Sequence, residues 1–376
     1  MGYLRKRGKK KYQIVIELEP DLDGSRNFIY KTINARKDKA KSIMIDMEKE
    51  IKEGTFVDED VYLKDHLLDW LESHKKKLKA STFESYNMII SKHLIPHLGE
   101  YTLQKLNQKP KLIEDYYDLK LKNGKSNGKG GLSNRTVRYH HSILHKALKT
   151  AVKWKRIKFN PVDLVDPPKK ITKEAEYLNS EELNELLDNT SILYYKRIFE
   201  FAARTGMRRG EILGLQWNLI DMERNFIKVR QSLLNINGEL VIQENTKNNL
   251  IRNIPISIKV KKILNDIKKE QAEAKIILKS NFNKDNLVFA REDGRLPRPD
   301  TITHRFKDYA RKAGFEKAKF HSLRHSFASI MKQNGVDIQT IQKLLGHTLQ
   351  ATTVDIYSHV PEKTKKNAVE KMDKIL

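Results

Sequence analysis

Two breaks marked by glycine and proline divide this chain and argue against a fold built around one core. The first is Gly54-Thr55, and the second contains Asn160-Pro161 and Pro167-Pro168. Such residues interrupt helices and strands, so they indicate boundaries between folding units. The 376 residues also exceed the size at which a single hydrophobic core stops growing. We therefore expect three domains, at residues 1–57, 58–168 and 169–376.

The first segment, residues 1–57, is predicted to form a three-stranded sheet backed by one helix. Residues 12–18 and 28–33 have strand composition and are separated by turn residues, which is typical of a hairpin. Apolar residues recur at helical spacing over 37–53. The basic residues at its N-terminus are expected to contact DNA, with the strands entering a groove. They are Arg5, Lys6, Arg7, Lys9, Lys10 and Lys11.

The second segment, residues 58–168, is predicted to be entirely helical. Apolar spacing indicates one helix over 61–71 and a long amphipathic helix over 132–157. Another helix is expected to run from Ser81 to Leu94, with Ser81 as N-cap and Glu84 completing a capping box.

The third segment, residues 169–376, is predicted to be a mixed but mostly helical domain with a small antiparallel sheet. Its strand candidates are 226–229, 240–244 and 251–256, with helices flanking the sheet on both sides. The expected fold class of the whole chain is therefore mainly α with small β-sheets (α+β).

The charge of the chain favours a polyanionic partner. Lys and Arg number 73 against 48 Asp and Glu, a net charge of +25, which is typical of nucleic-acid binding. The alternative is a protein whose lysine content reflects an AT-rich genome. Cysteine is absent, which excludes disulfides and cysteine-based zinc sites. No apolar run suits a membrane span or a signal peptide, so we expect a cytoplasmic protein without a membrane partner.

Two motifs of the third segment combine arginine with a possible partner. In TGMRRGEILGL, Arg208 lies at a helix junction, and Glu211 follows at the spacing that lets it hold the guanidinium. HSLRH places His321 and Arg324 three residues apart, hence on one helix face. An imidazole beside a planar guanidinium suits the oxygens of a phosphodiester. Each motif alone is also compatible with a solvated basic surface.

Three further residues complete the series. LLGH ends a helix at glycine, so His347 is expected to project from a turn; a histidine favoured by the helix dipole is the alternative. Lys247, in the turn NTKNN, is either a surface charge or a general acid. Tyr357 follows His347 in TTVDIYSHV. The order of these residues within one domain indicates phosphoryl transfer with a covalent nucleophile.

From Arg208 onwards the chain resembles the tyrosine recombinase family, the integrases of phages and mobile elements. The resemblance is carried by TGMRRGEILGLQW, the lysine hairpin, HSLRHSFAS, LLGH and Tyr357, and it covers 171–376. Residues 58–168 look like the family's core-binding (SAM-like) domain, and the basic first segment is similar to arm-type binding domains. The resemblance implies a site-specific DNA recombinase that integrates or excises a mobile element through a 3′-phosphotyrosine intermediate.

The resemblance also implies a role for each site residue. Tyr357 attacks the scissile phosphate, Arg208 and Arg324 bind its non-bridging oxygens, and Lys247 protonates the leaving 5′-oxygen. The supporting residues are His321 and His347, which donate hydrogen bonds, and Glu211, which orients Arg208. His321 is also a candidate base for the phenol.

No cofactor and no metal ion are expected, because guanidinium groups take the place of a metal and no acidic cluster suits Mg²⁺. The expected partners are double-stranded DNA with core and arm sites, a homotetramer on synapsed duplexes, and accessory DNA-bending proteins. The amphipathic segment 362–376 is expected to pack on a neighbouring protomer. A Xer-like resolvase, a type IB topoisomerase-like enzyme and a catalytically silent DNA-binding regulator remain alternatives.

Overall fold

The chain divides into two compact units, Met1–Thr172 and Lys173–Leu376. The computed structural model describes residues 2–18, 26–52, 61–125, 128–171, 176–236, 238–244, 251–278 and 282–346. Helices predominate in both units and are accompanied by small antiparallel sheets, which confirms the expected fold class. Among the described helices, none is long and apolar enough to cross a membrane.

A three-stranded antiparallel sheet begins the first unit. Its strands are β1 (Gly2–Gly8), β2 (Lys11–Glu17) and β3 (Phe28–Asn34), in the order β1-β2-β3, and helix α1 (Lys37–Lys52) packs against it. Alternate residues of a strand share one face, so the sheet can bury a row of side chains beneath the helix. The small core thus formed contains Ile14, Ile16, Ile29 and Met47.

The described remainder of the first unit, residues 61–125 and 128–171, is helical, as expected. Its helices are α2 (Leu63–His74), α3 (Ala80–Ile89), α4 (Ile95–Leu98), α5 (Leu103–Gln108), α6 (Lys111–Asn123) and α7 (Asn134–Lys153), and a π-helical turn (Ile90–Leu94) joins α3 to α4. Helix α7 buries one apolar face, and its N-cap Ser133 accepts a hydrogen bond from the Thr136 amide.

The capping box expected at Ser81 is wrong. Helix α3 begins at Ala80, with Lys79 in the N-cap position and no side-chain cap. Ser81 therefore lies inside the first turn, where it cannot act as the N-cap.

The strands of the second unit form two sheets, whereas the sequence predicted one. They are β4 (Ile220–Asp221), β5 (Phe226–Val229), β6 (Gln231–Ile236), β7 (Glu239–Glu244) and β8 (Arg252–Pro255), arranged as β4-β5-β8 and a separate hairpin β6-β7. The difference arises from β6, which had not been expected. Since β7 pairs with β6, it does not join the sheet of β5 and β8.

Seven helices among the described residues surround these sheets. They are α8 (Ser180–Asp188), α9 (Leu193–Thr205), α10 (Arg209–Leu213), α11 (Ile258–Leu278), α12 (Pro299–Lys312), α13 (Ser322–Gln333) and α14 (Ile338–Leu345). Helices α9 and α14 both end at a glycine in the left-handed conformation, Gly206 (φ 62°) and Gly346 (φ 66°). A Cβ atom on Gly206 would lie 2.6 Å from the Phe327 ring, so a larger residue would also collide there.

Candidate active site

Glu211 is the centre of a buried cluster of charges in the second unit. Arg252 donates to both of its carboxylate oxygens, with Nη1–Oε1 at 3.1 Å and Nη2–Oε2 at 2.6 Å. Arg208 donates from Nη1 to Oε1 and from its backbone amide to Oε2, each at 2.9 Å. Each carboxylate oxygen therefore accepts two hydrogen bonds. Bidentate arginine pairs of this kind are among the stronger charge-assisted interactions in proteins.

Three arginines also hold the C-terminal end of α14. Arg252 Nε donates to the Leu344 carbonyl at 2.8 Å, Arg324 Nη2 to that of Leu345 at 2.6 Å, and Arg208 Nη2 to that of Gly346 at 3.2 Å. The last carbonyls of a helix have no partners within it, and the helix dipole makes this end negative. Arginines are therefore suitable partners for three consecutive carbonyls.

The three arginines differ in their exposure to solvent. Arg324 is 3% exposed and also donates from Nη1 to the Gly206 carbonyl at 2.6 Å, so it connects the ends of α9 and α14. The Arg252 side chain is 7% exposed, whereas that of Arg208 is 27% exposed. Arg208 is thus the most accessible to an anion approaching from solvent.

Glu211 remains ionised in this environment. Burial would raise the pKa of its carboxyl, but the hydrogen bonds and charge of Arg252, together with the charge of Arg208, lower that pKa to about 2. Three guanidinium groups and one carboxylate leave the cluster with a net formal charge of +2. Such a cluster can bind a phosphate group and stabilise further negative charge on it.

His321 and Arg324 lie close in the chain but have different environments. Arg324 is directed into the protein, while His321 is exposed at the N-cap position of α13. The His321 ring is perpendicular to that of His325, with 4.7 Å between centroids. Burial and the charge of Arg324 lower the pKa of His325. His321 has helical backbone angles (φ −68°, ψ −19°) three residues before Arg324, but its side chain is exposed whereas that of Arg324 is buried.

Three of the expected site residues lie outside the described residues. They are Lys247, between β7 and β8 in the chain, His347, directly after Gly346, and Tyr357. The segment 362–376, expected to contact another protomer, also lies outside them.

Arg252 was not among the residues expected from the sequence. It lies in the strand candidate 251–256, where buried Arg252, Ile254 and Ile256 alternate with exposed residues. An arginine in register with two buried isoleucines points into the core and needs a carboxylate there. This alternation was the signal that could have identified it.

The N-terminal basic residues form a separate feature in the first unit. All six are exposed on β1, on the following turn and at the start of β2, and among the described residues none forms a salt bridge with a carboxylate. Arg5 donates to the Tyr3 hydroxyl at 3.0 Å, and Arg7 Nη2 donates to Gln13 at 2.7 Å. These residues present positive charge to solvent along one part of the sheet.

Within the described part of the chain, no group of three histidine or acidic side chains could hold a metal ion. The charged cluster around Glu211 instead contains donors that suit the oxygens of an anion.

Known proteins resemble both units of the chain. The model described as "Phage integrase family" matches residues 176–364, and the one described as "Phage integrase, N-terminal SAM-like domain" matches residues 62–119. A tyrosine recombinase XerC-like protein of Caldanaerobacter subterraneus subsp. tengcongensis is 28% identical, over 98% of this chain and 97% of the relative. The ICEBs1 integrase of Bacillus subtilis is also 28% identical, over 82% of this chain and 81% of the integrase.

A solved structure has the same fold. The Tn1549 transposon integrase, in complex with a circular intermediate DNA, matches with a TM-score of 0.69 and 19% identity. The match covers 83% of this chain and 99% of that structure. A match of this length includes residues of both units and is not confined to one small motif.

Proposed function

The chain belongs to the phage integrase family and is a tyrosine-type site-specific DNA recombinase, and we propose that it integrates or excises a mobile element through a 3′-phosphotyrosine intermediate. The integrase names of the relatives support the link to a mobile element. The resemblance identified from the sequence motifs is thereby confirmed.

The observation that carries the proposed mechanism is the arginine cluster at the end of α14. Its net positive charge and the exposure of Arg208 suit a scissile phosphate. Arg208 and Arg324 bind the non-bridging oxygens in this proposal, and Glu211 orients Arg208. Because the cluster is preorganised by hydrogen bonds, little reorganisation is needed when negative charge develops in the transition state.

The proposed covalent step exchanges one phosphoester bond for another. The Tyr357 oxygen forms a bond to phosphorus, and the bond from phosphorus to the 5′-oxygen breaks. His321 accepts the phenolic proton, Lys247 donates a proton to the departing 5′-oxygen, and His347 donates a hydrogen bond to the phosphate. The phosphotyrosine retains the energy of the phosphodiester, so rejoining needs no nucleotide cofactor.

DNA is the partner of the recombinase, and we propose a more specific assembly on it. Exchange between two duplexes requires four strand cleavages, which four protomers of a homotetramer supply.

In the proposed three-domain division, 1–57 binds arm sites, 58–168 binds core sites and 169–376 carries out cleavage. The exposed basic residues of the first sheet support the arm-binding role. Accessory DNA-bending proteins and a location in the bacterial cytoplasm, where the DNA substrate lies, complete the proposal.

A nicked duplex tests the nucleophile directly. Nicked duplexes tiled across the DNA that flanks the gene should trap a covalent complex with the wild type, since a nick beside the cleaved bond lets the leaving strand dissociate. Tyr357→Phe removes the attacking oxygen and should give no adduct. Denaturing gels and peptide mass spectrometry would measure both results.

The same experiment separates the alternatives. An adduct that persists with Tyr357→Phe would contradict the nucleophile assignment. A DNA-binding regulator would shift the duplexes on native gels without forming an adduct in either protein. A type IB topoisomerase-like enzyme would also form the adduct, so a separate assay on supercoiled plasmid decides that case: relaxation without the joining of two sites would indicate a topoisomerase.

A further inference from the structure

We propose that Arg252 is a positioning residue of this site, which neutralises Glu211 and thereby leaves the Arg208 guanidinium available to the phosphate. The inference rests on the proposed function of the arginine cluster. Arg252 itself acts through Glu211 and through the end of α14.

The hydrogen bonds around Glu211 distinguish Arg252 from Arg208. Two nitrogens of the Arg252 side chain bind the carboxylate, while only one nitrogen of the Arg208 side chain does so. Arg252 is also the more buried of the two side chains. Arg252 is therefore the principal partner of the carboxylate, and Arg208 is held at its edge with part of its guanidinium towards solvent.

Removal of the Arg252 charge would change the balance of the cluster. Glu211 would remain ionised beside Arg208, and the nearest way to satisfy it would be a closer pairing with that guanidinium. The net charge of the cluster would fall from +2 to +1. Both changes weaken the attraction for a phosphate whose negative charge grows in the transition state.

Arg252 also packs against the turn that ends α14. A Cβ atom on Gly346 would lie 3.1 Å from Arg252 Cδ and 3.2 Å from Nη1, so the side chain passes close to the glycine backbone. Its Nε donates a hydrogen bond to the carbonyl of Leu344, two residues before Gly346. The same side chain thus connects the carboxylate to the helix end that Arg208 and Arg324 also bind.

The test uses the full chain and the nicked duplexes that trap the wild-type adduct. Arg252→Gln should lower the rate constant of adduct formation at saturating DNA about 100-fold, the scale of losing one preorganised electrostatic contact. The DNA concentration for half-maximal rate should change little, because most binding contacts are made elsewhere. The matched control, Arg197→Gln, removes another bidentate partner of a carboxylate, Glu270, and should leave the rate unchanged.

A second substitution tests the route through Glu211. If Arg252 acts by neutralising this carboxylate, the double variant Glu211→Gln with Arg252→Gln should recover to within about tenfold of wild type, since no uncompensated charge remains to hold Arg208. A double variant no faster than Arg252→Gln would overturn the inference, because a purely structural role predicts additive losses.

Two outcomes distinguish failure of the proposed function from failure of the role proposed for Arg252. Absence of a wild-type adduct on every duplex would contradict the recombinase mechanism itself. A normal wild-type adduct with an equally fast Arg252→Gln would overturn only the role of Arg252. Thermal unfolding monitors folding, and Arg252→Lys provides the test if Arg252→Gln does not fold. Lysine keeps the charge but loses the fork, so a rate about tenfold lower is expected, and a rate about 100-fold lower, as if no charge remained beside Glu211, would overturn the inference.

Discussion

Both units of the molecule bury polar side chains, but the free-energy cost of removing these groups from water is offset differently in each unit. In the first unit, His140 is fully buried and shares a 2.8 Å hydrogen bond between its Nδ1 and the Tyr116 hydroxyl. Burial, His93 and Lys120 lower the pKa of His140 to about 4. In the second unit, burial is opposed by arginines that keep Glu211 ionised. His140 is thus buried as a neutral group, whereas the charges buried around Glu211 are paired.

This difference separates a structural core from a site able to bind an anion. A buried histidine that stays neutral avoids the desolvation of a charge. The arginine cluster instead retains charge in a partly buried place, where it interacts with a phosphate more strongly than in water. The comparison predicts that loss of a partner and acid destabilise the two units to different extents.

Loss of the Glu211 carboxylate should have the largest effect on stability. Glu211→Ala leaves Arg252 buried without its carboxylate, so we expect the second unit to lose about 3–5 kcal/mol in free energy of unfolding. Hydrogen exchange of peptides from the second unit at increasing urea concentration measures the change. Glu270→Ala is the control, because Glu270 is 54% exposed in its pair with Arg197. That variant should lose at most about 1 kcal/mol, and an equal loss in both would refute the comparison.

Acid should weaken the first unit before the second. Between pH 6.5 and about 4, unfolded His140 binds a proton that the folded histidine does not, so the free energy of unfolding falls as pH falls. The expected slope is about 1.4 kcal/mol per pH unit for His140 alone. Burial also lowers the pKa of other histidines of this unit: His66, His93, His97 and His141.

The second unit should resist the same change in pH. The pKa of Glu211 is lowered to about 2, so its contribution is fully present above the unfolded value near 4.5 and is lost only as pH falls below it. Burial and the charge of Arg324 lower the pKa of His325 in this unit. Hydrogen exchange resolved by peptide at pH 7 and pH 5 tests the order. Earlier opening of the second unit would contradict it.

Loss of the Tyr116 hydroxyl should have the smallest of these effects. Tyr116→Phe leaves His140 Nδ1 buried without its hydrogen bond, which costs about 1–3 kcal/mol in free energy of unfolding of the first unit. Tyr117→Phe is the matched control, because its partner His141 is only half-buried and water can replace the hydroxyl. Hydrogen exchange of peptides from the first unit at increasing urea concentration measures both. A larger loss for Tyr117→Phe would show that burial of the histidine does not set the cost.

The sequence correctly predicted several features that depend only on residues close together in the chain. The contact of Arg208 with Glu211 reflects their i, i+3 spacing, and α14 ends at Gly346 as the glycine predicts. The boundaries of α1 and of β5 also agree closely with the apolar patterns. The capping box at Ser81 was wrong because the N-cap is Lys79, two residues earlier, and this shift moves the Ser81 side chain from the cap into the first turn of the helix.

The sequence by itself determined the family, the mainly helical fold and the order of the candidate catalytic residues, because periodicity and motifs are local properties of the chain. Only the tertiary structure decided that Arg252 pairs with Glu211, 41 residues away, and that Arg324 holds the carbonyl of Gly206, 118 residues away. It also decided that β7 pairs with β6 rather than with β5. Contacts at such separations depend on how helices and sheets pack. No local pattern in one sequence specifies the partner with which each buried charged side chain will pair.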